Sequence, residues 1–389
     1  MEFTFSEEQE AVRQAAGGVF DGLVTPDRVQ EVEATEERFD RQLWAALARA
    51  DLLGIGIPEA DGGGGYGLVE LCIVLEAQGR AVAPVPLWAT LVLGALPLAA
   101  FGGDDLRARL LPGVAAGDIV LTAALADVAN DVATGGPGRP AVSAAPGPES
   151  GSLVLTGTAT AVPFAHVADR VLVPAATPDG GVVVAVVDPS ADGARLERAT
   201  TTNREVHPHL HLDGVAVVAG DLLADGDASR GGELVGWLLN RAWTGLCALQ
   251  VGVAEAAVAQ TAEYLNTREQ FGKPLSTFQG TMLRTADAAI DTEAMRVTLW
   301  QAAWRLDHGL DADRAVSLAS WFAKEAGQRV VHATQHLHGG MGADVDYPIH
   351  RYFLWGKELE LVLGAPSAQL ARLGRQVVAD LRHGQAVSA

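Results

Sequence analysis

The spacing of apolar residues changes twice along this 389-residue chain, and that double change constrains the fold more than any other feature. From residue 1 to about 118, apolar positions recur at the three-to-four spacing of amphipathic helices, as in Val12, Ala15, Val19 and Phe20. Between 119 and about 228 this gives way to short β-branched runs such as 152–156, 170–173, 182–187 and 214–218, separated by Gly, Pro and Asp clusters. From about 232 to 382 the helical spacing returns. The order predicts a mainly α protein with a β domain: an N-terminal helical domain (1–118), a small antiparallel sheet domain (119–228) and a C-terminal four-helix bundle (232–389). There are no internal repeats and no Rossmann fingerprint.

Local signals refine the frame. Ser6 with Gln9 three residues on predicts a capping box, with Glu7 and Glu8 in the first turn where the helix dipole favours them. The glycine run at 61–67 lacks the Lys-Ser/Thr ending of a phosphate loop and reads as a plain connection. The Gly/Pro/Ser-rich stretch from Gly135 to Ser152 reads as a long exposed loop. Four long amphipathic stretches, 236–270, 277–307, 313–337 and 347–362, supply the bundle. His207, His209 and His211 alternate in a predicted strand and would share one face, but nothing completes a metal site around them, so no metal is expected.

Composition excludes several functions. A net charge of −20 is wrong for a nucleic-acid binder, which needs a basic face. The apolar run from Ala81 to Phe101 contains Pro84, Pro86 and Pro97 and reads as buried core, so no membrane insertion is expected. Cys72 and Cys247 lie in apolar helical contexts as buried hydrophobes. With an acidic N-terminus unlike a signal peptide, they point to the cytoplasm.

Two motifs carry chemistry. The first runs from Tyr264 through Arg268, Phe271 and Gly272 to Gln279. The second runs from Gln335 through Gly339 and Gly340 to Gly342. An arginine fork suits a pyrophosphate, a paired glycine admits close backbone approach, and a phenylalanine offers an apolar wall to a ring system. Both motifs are similar to the signatures of the acyl-CoA dehydrogenase family, as are the opening Phe3–Gln9 and the later 53–63 segment. The resemblance covers essentially the whole chain. It implies a FAD enzyme in which a glutamate removes the α-proton of an acyl-CoA, and an electron-transfer flavoprotein reoxidises the flavin. It also implies that each FAD is shared between two subunits. The neighbour's pyrophosphate and adenine would meet Arg268, Phe271, Gln279, Gln335, Gly339 and Gly340, all of which are present.

The residues that the resemblance assigns to a subunit's own flavin are different here. Counting from Arg351 and Lys357, the glutamate position is Leu363, and the alternative position used by some relatives is Ala242. Neither side chain accepts a proton. The segments 125–131 and 161–166, where polar flavin contacts are expected, also depart from the family pattern. Glu358 and Glu360 lie in the helix before Leu363 and read as solvated or ion-paired charges, with Glu360 the candidate for a relocated base. The pattern implies a base-lacking subunit of a heteromeric acyl-CoA dehydrogenase, paired with a homologous subunit that carries the catalytic glutamate. Such heteromers are associated with bulky CoA thioesters of steroid side chains. The alternatives are a homo-oligomer using Glu360, or a scaffold subunit that does not touch flavin.

Overall fold

The computed structural model describes residues 4–129 and 138–382. The N-terminal part is α1 (Glu7–Leu23), α2 (Pro26–Glu33), α3 (Arg41–Arg49), α4 (Leu68–Ala81), a π-helical stretch (Trp88–Ala95), α5 (Leu96–Phe101) and α6 (Asp104–Ala116). The capping box at Ser6 forms as its sequence implies: Gln9 N–H donates to Ser6 Oγ, and Ser6 N–H donates to Gln9 Oε1. The proline-bearing run from Ala81 to Phe101 is buried, with Leu87, Val92 and Leu93 fully enclosed.

The middle part holds β1 (Leu121–Ala123), α7 (Ala126–Ala129), β2 (Val142–Pro146), β3 (Leu153–Ala159), β4 (Arg170–Ala176), β5 (Val182–Val187), β6 (Ala194–Glu197) and β7 (His209–Val217). The strand order is β1-β4-β2-β3-β7-β6, with β5 also pairing β4. The sheet is mixed rather than antiparallel as expected. β1 and β2 both run parallel to β4, on different lengths of it. The long loop expected from Gly135 to Ser152 is corrected in part: β2 lies inside it and pairs with β3, while 130–137 fall outside the described residues. The alternation Val142, Ala144 inward against Ser143, Ala145 outward is a two-residue period that the surrounding turn formers hide.

The C-terminal part is α8 (Gly231–Thr267), a small hairpin of β8 (Glu269–Gln270) and β9 (Lys273–Pro274), α9 (Gln279–Asp307), α10 (Asp313–Leu337), α11 (Ile349–Leu361) and α12 (Pro366–Arg382). The four expected helices are present, and α12 adds a fifth. α8 is long and apolar enough to cross a membrane, but 78% of its most apolar window is buried inside the protein. It is the axis on which α4, α9, α10 and α11 pack. The contact with α4 is backbone-close: a Cβ on Gly252 would lie 2.0 Å from the Glu76 carbonyl oxygen, and one on Gly79 would lie 2.2 Å from that of Leu249.

One apolar core runs through the N-terminal helices and the bundle, and a second fills the inner face of the sheet. Glu33 ties the three parts together. Its carboxylate meets Arg204 of the sheet part at 2.8 Å and Arg351 of α11 at 3.3 Å.

Candidate functional site: a vacated base turn and an exposed clamp

α11 ends in a turn built around Leu363. Its φ is +54°, a region that costs a side-chain-bearing residue roughly 1–2 kcal/mol. The turn is held from several sides. The Leu363 carbonyl accepts Trp243 Nε1–H at 2.9 Å and Gln369 Nε2–H at 3.3 Å. Beneath it, Lys324 of α10 donates to the carbonyls of Val362 (2.7 Å), Leu359 (3.0 Å) and Glu360 (3.4 Å). A cation at a helix C-terminus satisfies carbonyls that have no helical partner. Lys324 is only 3% exposed, and burial pushes its pKa down to about 8. The Leu363 side chain itself packs into the core.

The other candidate base positions have equally definite surroundings. Ala242 is fully buried, and its carbonyl accepts Trp88 Nε1–H at 3.0 Å. Glu360 pairs with Lys357 one turn earlier. Glu358 is not the surface charge that its helical position suggests. It accepts Thr202 N–H at 3.1 Å, and burial raises its pKa above the usual carboxylate range. It lines a small, partly open pocket together with Trp88, Leu246, Trp355, Phe164 and His207. That cavity measures about 30 Å³, room for roughly one or two waters.

Phe164 explains why the cavity is small. Val162 N–H donates to Pro208 O and Phe164 N–H to Val206 O, which roll the 161–166 segment against the sheet. Ala161 and Phe164 take positive φ values of 46° and 53°. The ring is thereby enclosed, 6.2 Å from His166 and 6.0 Å from His207. The segment is an ordered apolar plug. Of the three alternating histidines, only His209 and His211 lie in the strand. His207 is buried beside Glu205 at 3.2 Å, His209 accepts Ala161 N–H, and His211 bridges Thr158 and Glu197. No group of three metal-ligating side chains occurs among the described residues.

The second set is exposed. Arg268 caps α8, its N–H donating to Tyr264 O at 2.8 Å, and its guanidinium has no carboxylate partner among the described residues. Phe271 sits at the hairpin tip with φ +56° and is 92% exposed, touching only the edge of Phe278 at 6.2 Å. Gln279 opens α9 and is exposed. Gly339, with φ +60°, and Gly340 are exposed, and neither has anything within 4 Å of a Cβ position. Gln335 is committed to shaping this turn, since its amide donates to the Gly342 carbonyl. Tyr264 stacks on His338 at 4.5 Å, which brings the Arg268 and Gly339 segments side by side.

The two sets meet α8 at well-separated points. Trp243 contacts the Leu363 turn and Tyr264 contacts the Gly339 segment. The 21-residue step from one to the other spans about 31 Å of helix. An exposed arginine, an exposed ring and an open glycine pair fit the phosphates and rings of a dinucleotide such as FAD. The pocket beside Glu358, at about 30 Å³, is too small to do so.

The N-terminal domain of acyl-CoA dehydrogenases matches residues 6–118, and the C-terminal domain matches residues 229–378. This chain belongs to the acyl-CoA dehydrogenase family. It is 38% identical to the acyl-CoA dehydrogenase FadE27 of Mycobacterium tuberculosis, over 97% of this chain and 99% of that protein. It is also 38% identical to FadE28 of the same organism, over 85% and 91%. A solved Tcur3481–Tcur3483 steroid acyl-CoA dehydrogenase variant superposes with a TM-score of 0.87 at 44% identity, covering 97% of this chain and 99% of that one. A chain of the ChsE4–ChsE5 complex from Mycobacterium tuberculosis gives 0.89 at 38%, over 97% and 99%. Members of the family are FAD-dependent oxidoreductases, and these two neighbours are complexes of two different chains.

Sequence reasoning missed Lys324, the inward turn of Phe164 and the burial of Glu358. A lysine on the apolar face of α10 is a visible signal for the first. The other two depend on segments remote in sequence.

Proposed function

We propose that this chain is the base-lacking subunit of a heteromeric acyl-CoA dehydrogenase. A homologous subunit supplies the catalytic glutamate and the flavin platform. This chain supplies the clamp for the far end of that subunit's FAD. The observation that carries the reading is the separation along α8: an open, dinucleotide-compatible surface near its C-terminus, and a tightly hydrogen-bonded turn with leucine at the base position near Trp243. Tyr264, beside the clamp, is about 31 Å along α8 from Trp243, beside the Leu363 turn, so a cofactor held by Arg268 and the Gly339–Gly340 backbone would serve a neighbour.

In this reading Arg268 binds the pyrophosphate. Phe271 walls the ring system, Gln279 adds a polar contact, and the Gly339–Gly340 backbone lets the cofactor approach. Gln335 fixes the glycine turn. When bound, FAD supplies the hydride acceptor. The partner's glutamate takes the α-proton, the β-hydrogen leaves as hydride, and an α,β double bond remains. An electron-transfer flavoprotein then reoxidises the flavin, and the complex works in the cytoplasm. The neighbour at 44% identity, a steroid acyl-CoA dehydrogenase variant, supports a bulky, steroid-type CoA thioester as substrate.

Glu360 as a relocated base is disfavoured by its pairing with Lys357, and a flavin-free scaffold by the exposed clamp. The test is expression with and without a homologous subunit carrying the glutamate. One flavin per two chains, found only in the co-expressed sample, is expected. A yellow, active protein from this chain alone refutes the reading. Arg268→Ala distinguishes the scaffold reading, because it lowers the flavin content of the complex only if the clamp holds the cofactor.

A further inference from the structure

The two halves of the clamp reach one surface by different routes. Residues 268–279 follow the C-terminus of α8, and residues 335–342 close the C-terminus of α10. Among the described residues no hydrogen bond joins one segment directly to the other. Each also follows a helix end, where backbone groups lack helical partners and local order is lowest. What joins them is a cluster of three rings. Tyr264 stacks on His338 with centroids 4.5 Å apart and planes 25° apart. Tyr347, just ahead of α11, lies 5.4 Å from His338 and 6.3 Å from Tyr264.

Each ring is fixed beside a clamp segment. The Tyr264 carbonyl accepts Arg268 N–H at 2.8 Å, so the ring and the arginine backbone belong to one helical turn. His338 immediately precedes Gly339, and its carbonyl accepts Tyr264 Oη–H at 3.4 Å. The imidazole is 2% exposed, and its Nδ1–H donates to Thr334 O at 2.8 Å, one turn back on α10. That bond sets the tautomer and leaves Nε2 buried without a partner. The Tyr347 carbonyl in turn accepts His350 Nδ1–H at 2.7 Å, which anchors the third ring to α11. The residues assigned to the cofactor are exposed and lightly held by comparison: Phe271 touches only the edge of Phe278, and Gly339 and Gly340 have open space around them. A ligand that meets both halves gains from both only if their separation is preset to about half an ångström, and otherwise binding has to order them first.

We propose that the Tyr264–His338–Tyr347 cluster is the positioning element of the clamp: it sets the distance between Arg268 and the Gly339–Gly340 backbone, and so fixes affinity for the adenylate half of FAD without touching the cofactor. Tyr264 and His338 act through Arg268 and Gly339 and are positioning residues. The inference rests on the clamp reading above and adds to it the residues that hold the two motifs in register.

The test strips flavin from the heteromer and titrates FAD and FMN back separately, followed by flavin fluorescence. FMN lacks the adenylate half that the clamp holds, so it reports the partner's flavin platform alone. Tyr264→Leu and His338→Ala are expected to bind FAD at least about tenfold more weakly and FMN as wild type does. Tyr264→Phe, which keeps the stack, binds both as wild type does. Unchanged FAD affinity in Tyr264→Leu, with Arg268→Ala still weakening it, overturns the role of the rings and leaves the clamp reading standing. FAD affinity unchanged in Arg268→Ala as well, or a wild-type chain that forms no heteromer, removes both. Equal losses for FAD and FMN, or a loss that tracks a lower melting temperature of the flavin-free complex, shows that the rings only hold the fold and overturns the proposal. If His338→Ala does not fold, Tyr264→Leu against Tyr264→Phe decides the question alone.

Discussion

Replacing Lys324 by methionine separates the cost of burying a charge from the value of the hydrogen bonds it makes. The ammonium is buried under the C-terminus of α11, and its pKa falls from 10.5 to about 8, with desolvation as the main cause. That gap corresponds to about 3 kcal/mol disfavouring the charged form in the folded protein. Below pH 8 both folded and unfolded chains are protonated, and the folded chain bears the whole penalty. Between about 8 and 10.5 the folded chain has released its proton while the unfolded chain keeps it. The penalty therefore fades and stability climbs with pH across that window. The neutral amine retains two N–H donors, enough for the Val362 and Leu359 carbonyls. Methionine abolishes the ionisation and leaves both carbonyls without a donor, at about 1–3 kcal/mol each. At pH 7 relief and loss largely offset. By pH 10 the wild type has gained about 3 kcal/mol that the variant cannot gain. Cys247, which contributes to the local field, has its thiol pushed up to about 12 by burial and stays protonated throughout. Urea unfolding of both proteins at pH 7, 8, 9 and 10 measures the difference. A stability gap that is the same at every pH refutes the buried, pKa-shifted lysine.

Three further outcomes follow from the packing. Leu363→Glu leaves the protein expressed alone colourless and inactive, because the adjacent 30 Å³ cavity admits no flavin or acyl group; measurable dehydrogenation by that variant would show that the missing base is the sole defect. Glu33→Ala strands Arg351, whose side chain is 4% exposed, and lowers unfolding stability by about 3 kcal/mol; a change under about 1 kcal/mol would mean that water replaces the carboxylate. Gly252→Ala forces α8 off the Glu76 carbonyl and costs about 3 kcal/mol or more, read as a fall in denaturant midpoint, whereas an unaltered midpoint would mean that the two helices part without loss.

The local backbone geometry around Gly272 and Gly339 was legible in the sequence. A turn needing positive φ selects glycine, so Gly339 and Gly272 are visible in one dimension. The Ser6 capping box and the long helical stretches are equally local. The β2 strand was obscured because five residues of alternation are outweighed by flanking turn formers. The mixed sheet was obscured because strand direction depends on partners.

The sequence by itself determined the succession of helix, sheet and helix, the clamp motifs, and the absence of a carboxylate at positions 242 and 363. Each follows from side-chain identity or from conformational preference within a turn or two. Only the tertiary structure decided that Glu358 is half-buried against Thr202 and Glu360 paired, that Phe164 lines the small pocket beside Glu358, and that Lys324 holds the Leu363 turn from below. It alone decided that the Arg268 segment and the Leu363 turn meet α8 about 31 Å apart. Burial and separation are set by segments far apart in the chain, and no local pattern encodes them.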